Sequence, residues 1–376
     1  MPDDARSDAA LVAAVGDVIR RPRVEPADSF VLHAPLELAA RTALLPWVAP
    51  AARDEARQRL VELAASYSEA GDAVGDPAPR ELTSLAAGAD RLRDAIDAGD
   101  LDEVDATAAW LGRAASPSEL RALLADALVP RLAAAAHAPI FLYLLPRVAP
   151  RGELTGELLR PLARELARAP EWRLTWHREV QRGSPPLAAS ELTAAIAATP
   201  RLGLPGSDFI FPIMSQVERA GVAAELLSDI VARVEPHAAA RAILRAAAQS
   251  MLTEPPDFVP YGWSHCLTLP QAVLGIAGAC TDPATPLAIA ATFVVGFRAA
   301  LAAEPLSDDA PVATTPVSVT ELATFAATHQ DAHLVKYTLA CLDAAAWDPA
   351  ASARYLAAAA RLGNYWKERP QAGQST

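Results

Sequence analysis

Residues 348–363, Asp-Pro-Ala-Ala-Ser-Ala-Arg-Tyr-Leu-Ala-Ala-Ala-Ala-Arg-Leu-Gly, combine the signals that decide the fold class of this chain. Asp348 and Pro349 are typical of the start of a helix, and Gly363 is typical of the residue that ends one. Seven of the 16 residues are alanine, which has a high helix propensity and a low strand propensity. The stretch therefore predicts an alanine-rich helix that Gly363 closes.

The rest of the chain has the same character, with 87 alanines among 376 residues. Ser116-Pro117 and Ser318, each followed by a glutamate in the first turn, indicate two further helix starts. Residues 51–70 are amphipathic and precede Gly71, which indicates another helix. We expect an all-α protein with little or no β structure, folded as one compact domain over residues 1–376. The segment 208–214 could be a short extended run, limited by its proline to an edge strand or a loop.

The overall composition excludes several classes of protein. A net charge of −12 argues against a nucleic-acid or anionic-membrane partner, which would need clustered cations. The three cysteines contain no CxxC pair, so a disulfide framework is not expected and a cytoplasmic location is. The N-terminus lacks the pattern of a signal peptide. The most apolar stretch, Leu287 to Phe297, has 11 residues, too few to span a membrane, and is expected to be a buried core helix.

Common catalytic motifs are also absent from the sequence. There is no glycine-rich nucleotide-binding motif and no GxSxG nucleophile motif. His329 and His333 have the spacing of a zinc-protease helix, but Gln330 occupies the position of the general base. An amide cannot take a proton from metal-bound water, so peptidase chemistry is not expected.

Four histidines in apolar surroundings are the first candidates for function: His33, His137, His265 and His333. A single buried histidine is usually a core residue satisfied by a hydrogen bond. Burying several imidazoles is unfavourable unless each finds a partner, and a shared metal ion satisfies them all at once. The set therefore indicates a metal site, with four separate core histidines as the alternative.

Lys336 is unusual because only two of the 33 cationic residues are lysines. It follows His333 by three positions, so the two residues share a helix face, and its apolar neighbours predict partial burial. A buried amine tends to lose its proton. It can then act as a base, form an imine, or take up carbon dioxide to become a metal-binding carbamate. The alternative is a lysine that extends over the rim of the core.

The helix that carries His333 has two possible starts. With Asp331 as N-cap, His333 and Lys336 lie on one stripe of a new helix. If the helix instead runs unbroken from Val319, His329 joins the same face. Asp331 is expected to be a cap, or a hydrogen-bond partner of a ligand, rather than a ligand itself.

The segment Asp331-Ala-His-Leu-Val-Lys-Tyr-Thr-Leu-Ala-Cys341 resembles the Asp-x-His-hydrophobic-hydrophobic-Lys segment of the questin oxidase-like family. Three weaker matches occur in the order expected for that family. They are His33, His137 after a Leu-Val-Pro-Arg stretch, and His265 in Ser264-His-Cys-Leu-Thr268. The resemblance covers most of the chain, and the Asp331–Cys341 motif is its most specific part.

This resemblance implies an oxidase that opens an anthraquinone-type ring of a polyketide intermediate with molecular oxygen. By the same likeness, a non-haem iron would be bound by His33, His137, His265, His333 and Lys336. Lys336 would supply a carboxylate oxygen if carbamylated, or act as a base if not. His329 is an additional imidazole that could replace His333 as ligand or support it. NADPH has been associated with this family, but the sequence shows no motif for it.

An iron site for oxygen chemistry needs an apolar pocket for its substrate. Tyr261 and Trp263, shortly before His265, could form a wall against which a flat aromatic molecule stacks, although either could be ordinary core packing. Two other functions remain open: a metal-free enzyme that uses Lys336 as base, and a non-enzymatic helical scaffold. The sequence decides neither the substrate nor the oligomeric state.

Overall fold

The computed structural model describes residues 2–148, 157–207, 209–306 and 317–369. Within these ranges the chain forms α-helices joined by short 3-10 turns and loops, and it contains no β-strand. Three isolated β-bridges pair single residues only. The prediction of an all-α protein is therefore confirmed.

The helices belong to two compact units, each built from separate stretches of the chain. The first unit comprises Met1–Pro46, Pro50–Leu174 and Gly275–Thr281, and the second comprises Trp47–Ala49, Thr175–Leu274 and Asp282–Thr376. The single domain over residues 1–376 stays a prediction. In its described part, the first unit contains α1 (Pro2–Ile19), α2 (Ser29–Leu44), α3 (Arg53–Glu69), α4 (Leu85–Ala98), α5 (Leu101–Ala114), α6 (Pro117–Leu128), α7 (Ala138–Val148) and α8 (Leu159–Arg168). The second contains α9 (Ala189–Ala197), α10 (Ile210–Arg219), α11 (Val222–Leu227), α12 (Pro236–Thr253), α13 (Ser264–Gly275), α14 (Ala284–Leu301), α15 (Val319–Thr328), α16 (Ala332–Trp347) and α17 (Ser352–Glu368).

Side-chain caps at the helix ends follow the sequence signals. Ser116 and Glu119 form a reciprocal capping box at the start of α6, with the Ser116 N–H donating to the Glu119 carboxylate at 2.8 Å. Ser318 accepts a hydrogen bond from the backbone N–H of Glu321 at 3.3 Å and caps α15. Helix α3 ends at Glu69, just before Gly71, which has a φ of +98°. These caps satisfy N–H groups that a helix leaves without a partner in its first turn.

Two local predictions are wrong. The run 209–214 is not extended, because α10 begins at Ile210 and Pro212 lies in its first turn, where a missing N–H is tolerated; residue 208 lies outside the described residues. Gly363 does not end a helix either, since α17 continues to Glu368 and packs against α15 and α16. The packing of this helix outweighs the weak stop signal of one glycine.

Helix α14 is the main buried helix of the second unit. It has 18 residues, is apolar enough for a membrane span by length and composition, and is 94% buried. The apolar stretch read from the sequence lies inside it, so the expected buried core helix is confirmed, although the helix is longer than that stretch. A core helix and a membrane span both satisfy this test, and the cytoplasmic location stays a prediction.

Candidate metal centre

In the first unit, two of the candidate histidines lie side by side. His33 is in the second turn of α2, and His137 directly precedes α7, which packs against α2. The exposed fraction is 7% for His33 and 1% for His137. Their ring centroids are 4.7 Å apart at an interplanar angle of 66°. The packing of α2 against α7 thus places two buried imidazoles in edge contact.

The backbone ahead of His137 is strained. Ala134, Ala135 and Ala136 have φ angles of +53°, +50° and +55°, in the left-handed region that disfavours every residue with a Cβ. The His137 N–H donates to the Ala134 carbonyl at 3.0 Å, which closes this turn. Three consecutive strained residues are rare and cluster at functional sites when they occur. The turn fixes where α7 begins and therefore where the His137 ring lies.

A small apolar cleft opens beside His137 in the same unit. Helix α2 supplies Val31, Leu32, Pro35 and Leu36 to its wall. Phe141, Pro161 and Leu162 also line it, and its polar side chains other than His137 are Arg23, Glu25 and Glu165. The surroundings of His137 are therefore mostly apolar, with a few charged groups.

In the second unit, the other two candidate histidines also form a pair. The ring centroids of His265, in α13, and His333, in α16, are 4.9 Å apart at an interplanar angle of 81°. His333 is 7% exposed, and His265 is partly buried. The Tyr261 ring packs edge-on against His333, with centroids 4.9 Å apart. Tyr261 belongs to a π-helical turn, Val259–Trp263, and such turns often occur at functional sites.

The tautomer of His265 follows from its hydrogen bond. Its Nδ1 lies within hydrogen-bond distance of the Tyr261 carbonyl oxygen, which can only accept. Nδ1 therefore carries the proton, and Nε2 carries the lone pair. A histidine that donates from one ring nitrogen to a backbone carbonyl while the other coordinates is a common arrangement at metal sites.

Asp331 supports His333 from the start of α16. One carboxylate oxygen accepts from the Leu334 N–H at 2.7 Å and caps the helix. The other lies 3.7 Å from Nδ1 of His333. The predicted N-cap is therefore confirmed, and its carboxylate faces the imidazole as a supporting group of a metal ligand would.

The pKa values of this cluster favour neutral imidazoles. Burial lowers the pKa of His265 well below its usual value, and the positive charges of His333 and Lys336 lower it further. Burial also lowers the pKa of His333, and the charge of Lys336 adds to this effect. Burial raises the pKa of Asp331 despite its hydrogen bond from Leu334. Neutral histidine is the form that binds metal ions, so this environment suits a ligand role.

Lys336 is more deeply buried than the expected partial burial, with an exposed fraction of 3%. It lies one turn after His333 on α16. Helix α15 ends at Thr328, so α16 is a separate helix. His329 follows α15 as its C-cap, with its ring against Phe325 and Trp366 at centroid distances of 5.4 Å. Its Nδ1 accepts from the Asp331 N–H at 3.0 Å. His329 therefore does not continue the face of α16 that carries His333.

The two aromatic residues proposed for the substrate pocket differ in accessibility. Tyr261 is 48% exposed and contacts the His333 ring, whereas Trp263 is fully buried. Their role at a substrate stays a prediction.

The left-handed alanine turn, the π-helical turn and the cleft beside His137 were not predicted from the sequence. Alanine carries no preference for a left-handed backbone, and the cleft is formed by residues from distant parts of the chain.

The donor set is compatible with a metal ion. His33 and His137 in the first unit offer ring nitrogens that could contribute to binding one. Imidazole binds iron, zinc, copper and nickel, so the ligand type alone does not select iron.

Comparison of the chain with protein-family models found no match, and neither did searches of curated proteins and of solved structures. The resemblance to the questin oxidase-like family therefore rests on the residues quoted above.

Proposed function

We propose that this protein is a non-haem iron-dependent oxygenase that opens an anthraquinone-type ring of a polyketide intermediate with molecular oxygen. The observation that supports this most is the edge contact of two imidazoles within each unit, His33 with His137 and His265 with His333. The resemblance assigns these four residues and Lys336 as ligands. The proposed reaction is inferred from the same resemblance.

Iron bound by these imidazoles would supply the activation of molecular oxygen. The chain's own residues would prepare the ligands and the surroundings. The Tyr261 carbonyl keeps the proton of His265 on Nδ1, and Asp331 faces Nδ1 of His333. Phe141 and the other apolar side chains beside His137 would exclude water from the site.

Lys336 has two possible forms in this proposal. As a free amine it would accept a proton from an acidic phenol of the substrate. As a carbamate it would contribute an anionic oxygen to the iron. Protein equilibrated with ¹³C-labelled bicarbonate separates these forms, because a carbamate carbon gives an NMR signal that Lys336→Arg abolishes and Lys367→Arg leaves unchanged.

Oxygen consumption tests the function. Metal-free protein is reconstituted with ferrous iron under anaerobic conditions, and oxygen uptake is followed after addition of a hydroxyanthraquinone, with and without NADPH. The proposal expects uptake that requires both iron and the aromatic substrate. His237→Ala is the matched control, since His237 is an exposed histidine in the first turn of α12. Full turnover by metal-free protein would contradict the proposal.

A metal-free enzyme is the second candidate, because the buried amine of Lys336 could act as a base without iron. Under that hypothesis Lys336→Arg abolishes turnover and the histidine variants do not change metal content. If no variant of Lys336 or of the histidines alters anything except stability, the chain is a helical scaffold.

A further inference from the structure

One turn of the backbone contacts both imidazoles of the second pair. The π-helical turn Val259–Trp263 directly precedes α13, and four of its five residues are buried. The fifth, Tyr261, is 48% exposed. The Tyr261 carbonyl accepts from Nδ1 of His265, and the Tyr261 ring packs edge-on against His333 at a centroid distance of 4.9 Å. The backbone of one residue therefore contacts one imidazole, and its side chain contacts the other.

Two successive carbonyl groups of this turn accept hydrogen bonds from side chains of α13. A π-helical turn pairs a carbonyl with the N–H group five residues later, instead of four as in an α-helix. The Pro260 carbonyl accepts from the Ser264 hydroxyl at 2.6 Å, and the Tyr261 carbonyl accepts from His265. A hydrogen bond from one ring nitrogen fixes both the tautomer and the orientation of an imidazole. The position of the turn thus determines how the His265 ring lies.

Gly262 allows this turn to pack closely against α14. A Cβ at this position would overlap the side chain of Leu301 and lie 3.1 Å from the Cβ of Phe258. Leu301 is buried, so the turn lies against the core of the second unit. Only glycine permits such a close approach without displacing a neighbour.

We propose that the turn Val259–Trp263 is the positioning element of the second histidine pair, with Tyr261 as the positioning residue for both rings. Its carbonyl holds His265 in one tautomer and one orientation. Its ring restricts rotation of the His333 ring and covers that ring from solvent. A binding site needs its ligands held in place by such neighbouring groups before the ion arrives. The two imidazoles therefore keep one relative orientation with or without a metal ion.

This inference deepens the proposed function, and it rests on that function only for the step from a positioned pair to a pair of metal ligands. The orientation of the two rings needs no metal. It is therefore measured on metal-free protein, where failure of the iron hypothesis and failure of this inference are separate outcomes.

Acylation by diethyl pyrocarbonate tests the role of the Tyr261 ring, because this reagent attacks a neutral imidazole nitrogen. Peptide mass spectrometry gives the rate at each histidine, with the exposed His237 as internal standard. Tyr261→Ala should raise the rate at His333 about tenfold through loss of one aromatic contact. Tyr261→Phe is the matched control, since it keeps the ring and should keep the wild-type rate. A wild-type rate at His333 in Tyr261→Ala would overturn the role of the ring.

Nitrogen-15 NMR of histidine-labelled protein tests the role of the Tyr261 carbonyl. The His265 signals are assigned by their loss in His265→Gln. Wild-type protein and Tyr261→Ala should both carry the His265 proton on Nδ1, because the backbone carbonyl remains in each. A wild-type spectrum with this proton on Nε2 would overturn the role of the carbonyl.

Gly262→Val tests the position of the turn, since its side chain would overlap Leu301 and should displace the carbonyl from His265. We expect His265 to lose its preference for the Nδ1 proton in this variant. Gly278→Val is the matched control, because a Cβ at Gly278 meets nothing within 4 Å. Circular dichroism checks the helix content of both. A folded Gly262→Val protein with an unchanged His265 tautomer would overturn the proposal, and if this variant does not fold, the wild-type spectrum and the Tyr261 variants still decide.

Discussion

The two histidine pairs are built in different ways. His33 and His137 lie where α2 packs against α7, with a strained alanine turn ahead of His137 and a small apolar cleft beside it. His265 and His333 lie among charged and polar groups, with Asp331 and Lys336 close by. The first pair has mostly apolar surroundings, and the second has groups that control proton position and charge.

Burial alone therefore does not define a site. In the first unit the informative features are backbone strain and apolar surroundings. In the second they are a fixed tautomer, a carboxylate facing an imidazole, and a buried amine. Each kind of feature can be tested by its own experiment. Together the experiments show whether the two histidine pairs have different roles.

Lys336 should give the largest effect, because it has no counterpart in the first pair. Lys336→Arg keeps a positive charge but can form neither a free base nor a carbamate. We expect activity in the oxygen-uptake assay to fall about 100-fold or more. Lys367→Arg, near the C-terminus, should leave activity unchanged. Full activity of the Lys336→Arg protein would show that the amine beside the second pair is not needed for the reaction.

The helix caps next to the two pairs give a matched comparison. Asp28 caps α2 and Asp331 caps α16, each accepting a backbone N–H at 2.7 Å, and Asp331 also faces His333 of its pair. Either aspartate→Ala change should lower the free energy of unfolding by about 1 kcal/mol. Asp331→Ala should in addition weaken metal binding about 10- to 100-fold, measured by competition with a chelator.

Asp331→Asn keeps an oxygen for the cap and separates the two roles. We expect its stability to lie near that of the wild type while its metal affinity falls. Equal loss of metal affinity in Asp28→Ala and Asp331→Ala would show that the carboxylate acts through the helix alone.

The alanine turn ahead of His137 should respond to glycine in the opposite way from an ordinary helix. Ala135 has a φ of +50°, so Ala135→Gly relieves strain and should stabilise the protein by about 1 kcal/mol. Ala65→Gly, at an exposed position inside α3, should destabilise it by a similar amount. Thermal denaturation of both variants checks the sign. Destabilisation by Ala135→Gly would contradict the left-handed turn.

Thiol labelling compares the two units in the wild-type protein, without a substitution. Cys266 adjoins His265 and is fully buried, and burial raises its pKa to about 12. Cys341 on α16 is buried as well, whereas Cys280 of the first unit is partly exposed. Iodoacetamide at pH 8 should therefore label Cys280 first, and all three cysteines only after unfolding. Rapid labelling of Cys266 would show that the surroundings of the second pair are open.

The sequence predicted the parts of the structure that have local causes. The all-α class follows from alanine content, and the caps at Ser116, Ser318 and Asp331 follow from their own side chains. The end of α17 did not follow from Gly363, because packing decides where that helix stops. The sequence predicted His33 and His137 only as two members of a set of four histidines. Their spacing along the chain does not indicate how far apart they lie in the fold.

Metal content tests the central claim most directly. Wild-type protein, His137→Ala, His333→Ala and the control His237→Ala are purified in parallel, and iron per chain is measured together with helix content by circular dichroism. The account predicts about one iron per chain in the wild type and the control. It predicts loss of iron in both other variants, with helix content retained. Folded wild-type protein that binds no metal, or wild-type levels of metal in both His137→Ala and His333→Ala, would contradict it.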